Sequence, residues 1–366
     1  MQQNDLIYKI GISLLPGLGD ITAKRLVAHC GGAEAVFKES KKNLLKIPGF
    51  GDLLANKIAS AEVLHLAEEE MKIAEEKGIN VLFFLDKDYP KRLRHCEDGP
   101  VILYTKGNTD FNVERVISIV GTRKATVMGR LFCEKLVEDL RVFNPLIISG
   151  LAFGIDICAH RAAMKNSLAT IGILGHGLDQ MYPRQHAAVA EKMLENGGLA
   201  TTFRYKSEMF PKNFADRNRV VAGLADAVVV VESTDKGGSL ITAGIANSYN
   251  RDVFAVPGRT DDEMSVGCNK LIKSNRAALI ESAKDLQYIL GWEESSKKEQ
   301  KQTSLFVDLN EEERRLMDVL GKQQEISIDE LSLEAEMPMS KTAGILLGLE
   351  FKGLVKSLPG KRYQGA

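Results

Sequence analysis

From about residue 115 onward, apolar residues fall in short, mostly near-continuous runs: Val116–Val120, Leu146–Ser149, Ala169–Leu174, Leu199–Phe203, Asp226–Val231 and Val253–Val256. Runs of this length without alternation are the signature of strands buried on both faces. Helical periods such as Val127–Leu140 and His160–Asn166 lie between them. The segment therefore predicts repeated βα units and an α/β fold with an extended, Rossmann-like, mostly parallel sheet. Glycine-bearing turns follow these runs at Gly121, at Gly150 with Gly154, at Gly175 with Gly177, at Gly237-Gly238 and at Gly258. Ligands of such sheets gather outside the carboxyl ends of the strands, so the turns mark one edge as the candidate site.

The flanks read differently. Pro16-Gly17-Leu18-Gly19-Asp20-x-x-Ala23-x-Arg25-Leu26 repeats 32 residues later as Pro48-Gly49-Phe50-Gly51-Asp52-x-x-Ala55-x-Lys57-Ile58. Each copy is a helix end, a Gly-apolar-Gly turn and a new helix, which resembles a tandem helix-hairpin-helix. Free amides at a helix start suit a phosphate oxygen, and such hairpins hold nucleic-acid backbone without reading bases. The plain alternative is that the turns only terminate helices of a small bundle. Glu293–Ser304 carries no apolar residue and reads as a solvated linker. Beyond it, Leu309–Leu320, Ile328–Glu334 and Ser340–Lys352 predict three amphipathic helices, and two short strands flank Pro359-Gly360. The expected organisation is a helix-hairpin-helix or SAM-like helical domain over 1–78, a Rossmann-like domain over 79–292, a linker over 293–304 and a winged-helix-like domain over 305–366. The third tail helix has little basic surface, so a protein-binding or autoregulatory role is at least as well supported as duplex binding.

Composition narrows the class without naming a function. The 366 residues are 44% hydrophobic and 27% charged, ordinary values for a globular protein. No apolar run approaches the roughly 18–20 residues of a spanning helix, and the polar start MQQNDLIYK does not read as a secretory leader. Five scattered cysteines without a C-x-x-C pair predict a reduced, cytoplasmic protein without a zinc site. A net charge of −1 excludes a wholly basic nucleic-acid binder but leaves local patches open.

The turns themselves argue against a dinucleotide. The first is Val120-Gly121-Thr122-Arg123-Lys124, with one glycine and two cations; no G-x-G-x-x-G follows a strand, and no Walker A motif occurs. A turn followed at once by Arg123 and Lys124 suits an anion, since arginine can fork onto a phosphate or stack on a base. Thr201–Val220, read as a loop after a strand, holds Arg204, Lys206, Lys212, Arg217 and Arg219 against Glu208 and Asp216, with Phe210 and Phe214 interleaved. Cations along a backbone with aromatic faces between them is the design of single-strand binding sites. Lys236-Gly237-Gly238-Ser239 opens a helix whose free amides and hydroxyl make a phosphate nest, or simply a cap.

Seven motifs in order now carry a resemblance: Ile119-Val120-Gly121-Thr122-Arg123; Ser149-Gly150-Leu151-Ala152-x-Gly154-Ile155-Asp156-x-x-Ala159-His160; Leu174-Gly175-x-Gly177-Leu178-Asp179-x-x-Tyr182-Pro183; Arg217-Asn218-Arg219-Val220-Val221-Ala222-Gly223-Leu224; Gly238-Ser239-Leu240-Ile241-Thr242-Ala243; Val256-Pro257-Gly258; and Gly267-Cys268-Asn269-x-Leu271-Ile272. Together they resemble the DNA-processing DprA (Smf) family over roughly residues 80–290. The resemblance implies a non-enzymatic single-stranded DNA binder of bacterial transformation. Such proteins protect incoming strands, help load the RecA recombinase and form homodimers through the central domain, with no cofactor or metal. It places Arg123 on a phosphate, Arg217, Asn218 and Arg219 along the strand groove, and backbone contacts at Gly238-Ser239. Gly121, Lys124 and Gly237 complete those turns. Lys212 and Phe214 are assigned by charge and stacking, and Asn269 and Lys273 as rim contacts. His186, where an Asn is common, and Thr201–Tyr205, in place of a Ser-Glu-Tyr stretch, depart from the pattern.

Asp156 and His160 share a helix face, as an acid–base pair would, yet no nucleophile or third ligand is near, so a structural hydrogen bond is the better expectation. The competing class is a nucleotide-processing phosphoribohydrolase on a related sheet, but its Gly-Gly-x-Gly-Thr turn is absent here. A third reading is an adaptor that recruits a partner through its tail.

Overall fold

A computed structural model of the chain describes residues 2–47, 51–58, 61–108, 110–293, 309–321, 326–352, 354–358 and 362–365. It divides into two compact units, 1–295 and 296–366. The first unit opens with helices α1 (Gln2–Leu14), α2 (Asp20–Cys30), α3 (Ala33–Lys38), α4 (Lys41–Leu44), α5 (Asp52–Ile58) and α6 (Ala61–Lys77). The strands that follow are β1 (Asn80–Phe83), β2 (Ile102–Gly107), β3 (Val116–Val120), β4 (Leu146–Ser149), β5 (Thr170–Leu174), β6 (Gly197–Thr201), β7 (Ala227–Val230), β8 (Asp252–Ala255) and β9 (Ala278–Leu279). Between them run α7 (Lys91–Arg94), α8 (Val127–Leu140), α9 (Ile155–Lys165), α10 (Ala187–Met193), α11 (Pro211–Leu224), α12 (Gly238–Ser248) and α13 (Val266–Lys273), with α14 (Ala283–Leu290) closing the unit.

The sheet order is β1-β2-β6-β5-β4-β3-β7-β8-β9, parallel from β6 to β9, with β1 and β2 added antiparallel on the β6 side. The near-continuous apolar runs have the expected cause. Val116 and Val120 face one core with Ile148 and Val228, while Ile117 and Ile119 face another with Ile147 and Val229. Successive side chains point to opposite faces, and both faces are covered. Strand order reverses at β3, whose neighbours are β4 and β7, and that switch point is where a doubly wound sheet opens a crevice.

Three differences from the sequence reading matter. Strands β1, β2 and β9 were not expected: β1 and β9 are the sheet's edges. Strand β2, between β1 and β6 with Leu103 on one core and Ile102 and Tyr104 on another, precedes the residue near 115 from which the strand pattern was read. Helix α9 begins at Ile155, five residues before the expected start. The stretch read as one loop from Thr201 to Val220 is a loop only to Phe210; Pro211 then starts α11, since its fixed φ and missing N–H suit the first helical position. Consequently Lys212, Phe214, Arg217, Asn218 and Arg219 project from a helix, whose faces diverge.

Gly17 and Gly19 of the first Gly-Leu-Gly turn are exposed, while the helix that follows turns its first residues inward. An Asp20 carboxylate oxygen accepts the Val101 N–H at 2.9 Å, and the Lys24 ammonium donates to the Cys96 carbonyl at 2.9 Å. These two side chains dock α2 against the segment before β2. The second turn, Pro48-Gly49-Phe50, lies outside the described residues, as does most of the linker.

The second unit packs α15 (Glu311–Leu320), β10 (Ile326–Ser327), α16 (Ile328–Glu334), α17 (Met339–Phe351), β11 (Val355–Leu358) and β12 (Arg362–Gly365) around Leu316, Leu331, Leu346 and Leu349. Its sheet runs β10-β12-β11, a winged-helix arrangement with one strand more than expected; the turn at Pro359-Gly360 lies outside the described residues. Among the described residues no helix is long and apolar enough to cross a membrane.

Candidate nucleic-acid interface

At the β3 switch point a cleft of about 510 Å³ opens. Val120, Gly121, Thr122, Arg123 and Lys124 line it after β3, Ala152 and Asp156 after β4, and Thr234, Gly237, Gly238 and Ser239 after β7. Phe214, Arg217 and Asn218 of α11 close it. Arg123 and Lys124 are exposed. Their turn is rigid: the Thr122 N–H donates to the Glu232 carbonyl at 2.8 Å, and the Thr122 carbonyl accepts the Ile155 N–H at 3.2 Å.

Arg217 is the unusual group. Its residue exposure is 5%, Nη1 donates to the Ile173 carbonyl at 2.6 Å, and Nε has no partner. Gly150 makes room for it, because a Cβ there would fall 1.8 Å from Nη1. Burial pulls its pKa below the usual range while the Asp156 carboxyl opposes that pull; burial likewise pushes Asp156 up. Arginine nevertheless stays protonated in proteins. The cleft wall therefore holds a desolvated cation whose Nε is buried and unpartnered, with no carboxylate in hydrogen-bond contact.

Helix α12 adds a second anion feature. It starts after Gly237 with no side-chain cap, and a Cβ at Gly238 would meet nothing within 4 Å. Gly237, Gly238 and Ser239 at its start, the positive end of the helix, line the cleft, and of the first-turn amides that of Leu240 is bonded to the Gly237 carbonyl at 3.0 Å. Helix α8 contrasts with it: Thr126 Oγ1 accepts the Gly129 N–H at 3.0 Å, and Glu232 accepts both the N–H and the hydroxyl of Thr126. That terminus already carries a carboxylate.

Nine of the thirteen residues named from sequence share the cleft: Gly121, Arg123, Lys124, Phe214, Arg217, Asn218, Gly237, Gly238 and Ser239. The other four do not line it. Lys212 and Arg219 project from α11 into a separate cleft against α2, where Arg219 pairs with Asp98 at 2.9 Å. Asn269 clasps Gly258, accepting its N–H at 3.2 Å and donating to its carbonyl at 2.9 Å. Lys273 stands exposed at the end of α13. Gly121 acts through packing, since its missing Cβ would strike the Ile155 side chain at 2.5 Å. Two aromatics were not singled out, Phe153 and Tyr182. With Arg123, Phe214 and Arg217 they rim a shallow slot beside the cleft.

Asp156 and His160 bond to different partners. The Asp156 carboxylate accepts the Ala152 N–H at 3.3 Å, whereas His160 Nδ1 meets Thr170 Oγ1 at 2.7 Å. Thr170 gives its one proton to the Ile147 carbonyl at 2.9 Å, so His160 Nδ1 is the donor. Nε2 is then a buried acceptor without a partner, and burial lowers the ring to about 3. The pair is structural.

What fold and cleft define is a class: a Rossmann-type domain whose switch point is furnished with cations and an uncapped helix end in place of a dinucleotide fingerprint, on a chain that also bears a winged-helix unit. The family model described as DNA recombination-mediator protein A matches residues 80–291, and the DprA winged helix domain matches 300–361. The chain belongs to the DprA (Smf) family of DNA-processing proteins. It is 30% identical over the full length of both chains to protein Smf of Synechocystis sp., and 37% identical to the DNA processing protein DprA of Bacillus subtilis over 58% of this chain and 71% of that one. The solved DprA of Streptococcus pneumoniae aligns with TM-score 0.64 and 29% identity, covering 77% of this chain and 97% of that one. DprA of Helicobacter pylori, solved in a study of its single-stranded DNA binding mode, aligns with TM-score 0.53 and 27% identity, over 58% and 95% respectively.

Proposed function

We propose that this protein binds single-stranded DNA in the β3–β7 cleft, without catalysis, and presents the strand to the RecA recombinase in the cytoplasm, acting as a homodimer through its sheet unit. The observation that carries the reading is Arg217: a buried guanidinium with an unpartnered Nε, beside the uncapped start of α12. A buried charge whose hydrogen bonds are only partly met is costly, with the Ile173 carbonyl and the Asp156 charge offsetting part of that cost here, and a phosphate in the cleft would add a further counter-charge. Arg123 and Lys124 at the mouth supply the exposed charge, and Phe214 a face for a base. The H. pylori relative's strand-binding mode supports the same reading.

The test is salt-titrated anisotropy on a labelled oligothymidine, with duplex as competitor. Wild type should bind tightly and resist duplex. Arg123→Ala should bind more weakly, with the log K against log salt slope flattened by about 0.7 for one lost phosphate contact. Equal affinity for duplex, or release of free base from nucleotides, would overturn the reading in favour of a nucleotide-processing enzyme. Presentation to the recombinase is tested by filament assembly on strand already covered by a single-strand-binding protein, and the dimer by sedimentation.

A further inference from the structure

The shallow slot beside the cleft has three aromatic rings on its rim, each from a different element: Phe153 from the β4–α9 turn, Tyr182 from the segment after β5, and Phe214 from α11. Phe153 is 42% exposed and Tyr182 50% exposed. Single exposed apolar residues are unremarkable. Three converging on Arg123 and Arg217 are not, because apolar rings and guanidinium groups together match a ligand with flat faces and anionic links.

Phe153 is held unusually firmly for an exposed side chain. Its turn is fixed at both ends: Leu151 sits in the left-handed region at φ 63° with its side chain fully buried, and Gly154 has φ 80°. A Cβ at Gly154 would lie 2.1 Å from the Thr122 carbonyl, so the turn is pressed against the Arg123 turn. The Asp156 carboxylate takes the Ala152 N–H between them. The Phe153 ring stands edge-on to the buried His186 ring, centroids 4.8 Å apart and planes at 70°. His186 Nδ1 in turn bonds the Leu151 carbonyl at 2.8 Å. Tyr182 and Phe214 form a tilted pair with centroids 5.8 Å apart.

On the strand-binding reading above, we infer that Phe153 is a second base-stacking residue, presenting its ring to a neighbouring nucleobase of the strand whose phosphates Arg123 and Arg217 hold. The slot is shallow, about 30 Å³ against about 510 Å³ for the main cleft, so a base lies across its mouth instead of entering it. Stacking needs an unpaired base, and every base has a face, so Phe153 adds preference for single strands without sequence preference. His186 acquires a role here: held by the Leu151 carbonyl, it orients the ring.

The experiment uses the chain's single tryptophan, Trp292, which packs on Phe143 in the core at 5.6 Å. In a Trp292→Phe background, Phe153→Trp places the sole indole at the slot. Saturating oligothymidine should quench it strongly, with the same midpoint as anisotropy. Separately, Phe153→Ala should weaken strand binding about ten-fold at unchanged melting temperature, and Phe153→Tyr should restore it. An indole left unquenched on bound strand, or affinity within two-fold for Phe153→Ala, overturns this inference alone, provided Arg123→Ala still weakens binding. If wild type and Arg123→Ala both fail to prefer the strand, the broader proposal falls with it. Weakened binding by Phe153→Ala together with a silent indole also overturns it, since the ring would then only support His186.

Discussion

At the scale of single residues, the cleft separates groups that hold the fold from groups that face a ligand. Gly238 has open space where a Cβ would be and needs no left-handed backbone. Gly238→Ala should therefore melt like wild type while its methyl stands between the α12 amides and an incoming phosphate, lowering strand affinity several-fold by anisotropy. His160 gives the opposite case, a titratable residue that acts on stability alone. Its folded pKa lies near 3, below the unfolded value of about 6.5, because burial favours the neutral ring. Below pH 6.5 the unfolded chain takes a proton that the folded chain refuses, so stability falls with pH at about 1.4 kcal/mol per unit down to the folded value. In urea melts between pH 7.5 and 5.0, wild type should lose roughly 2 kcal/mol more than His160→Asn, which keeps a donor to Thr170 without the titration. Equal losses would mean that His160 is not buried neutral.

At the scale of elements, two helix starts near the cleft divide structure from ligand. Helix α8 is capped by Thr126 and backed by Glu232, whereas α12 is uncapped. Thr126→Ala should cost about 1 kcal/mol of stability in a denaturant melt. A loss below a few tenths would mean that the cap contributes nothing. Elements were also where the sequence was most and least informative. Two-sided burial wrote β3, β4, β5 and β7 into near-continuous apolar runs, so those strands and the glycine turns after them could be read directly. Strands β1 and β2 lie ahead of that segment, on the antiparallel side of the sheet, and β9 is an edge strand of two residues, Ala278–Leu279. Helix α11 was hidden because its charges and aromatics dominate the pattern, and reading it as a loop put Lys212, Arg217 and Arg219 on one surface. A helix separates them: residues 214, 217 and 218 share the cleft, while 212 and 219 face α2. Phe153 was invisible for another reason. It is the unspecified position of its motif, and only the folded neighbourhood of Tyr182, Phe214 and Arg123 gives its ring a context.

At the scale of the whole molecule, the question is what the winged-helix unit contributes. The outward face of α17 carries Met339, Leu347 and Phe351, exposed by 47%, 55% and 86%. Two nearby cations are already engaged, Lys341 with Glu312 and Lys352 with Glu313 at 2.6 Å. A duplex-reading helix needs free basic and polar side chains toward the groove, and this one offers apolar surface. Arg115 lies against both Phe143 and Trp292, 5.8 and 5.5 Å from the two ring centroids, and donates to the Phe143 carbonyl at 3.2 Å, which anchors the chain up to the linker without the tail. Cutting after Ser295 should leave the main melting transition and the oligothymidine affinity within two-fold of wild type. Phe351→Glu sharpens the test in the full chain. An acidic group on a DNA-reading face would repel phosphates and weaken duplex binding, whereas on a protein-docking face it leaves both nucleic-acid affinities unchanged and reduces filament assembly. A duplex affinity that drops with Phe351→Glu and vanishes on truncation would make the tail a DNA module, and the apolar stripe its wedge.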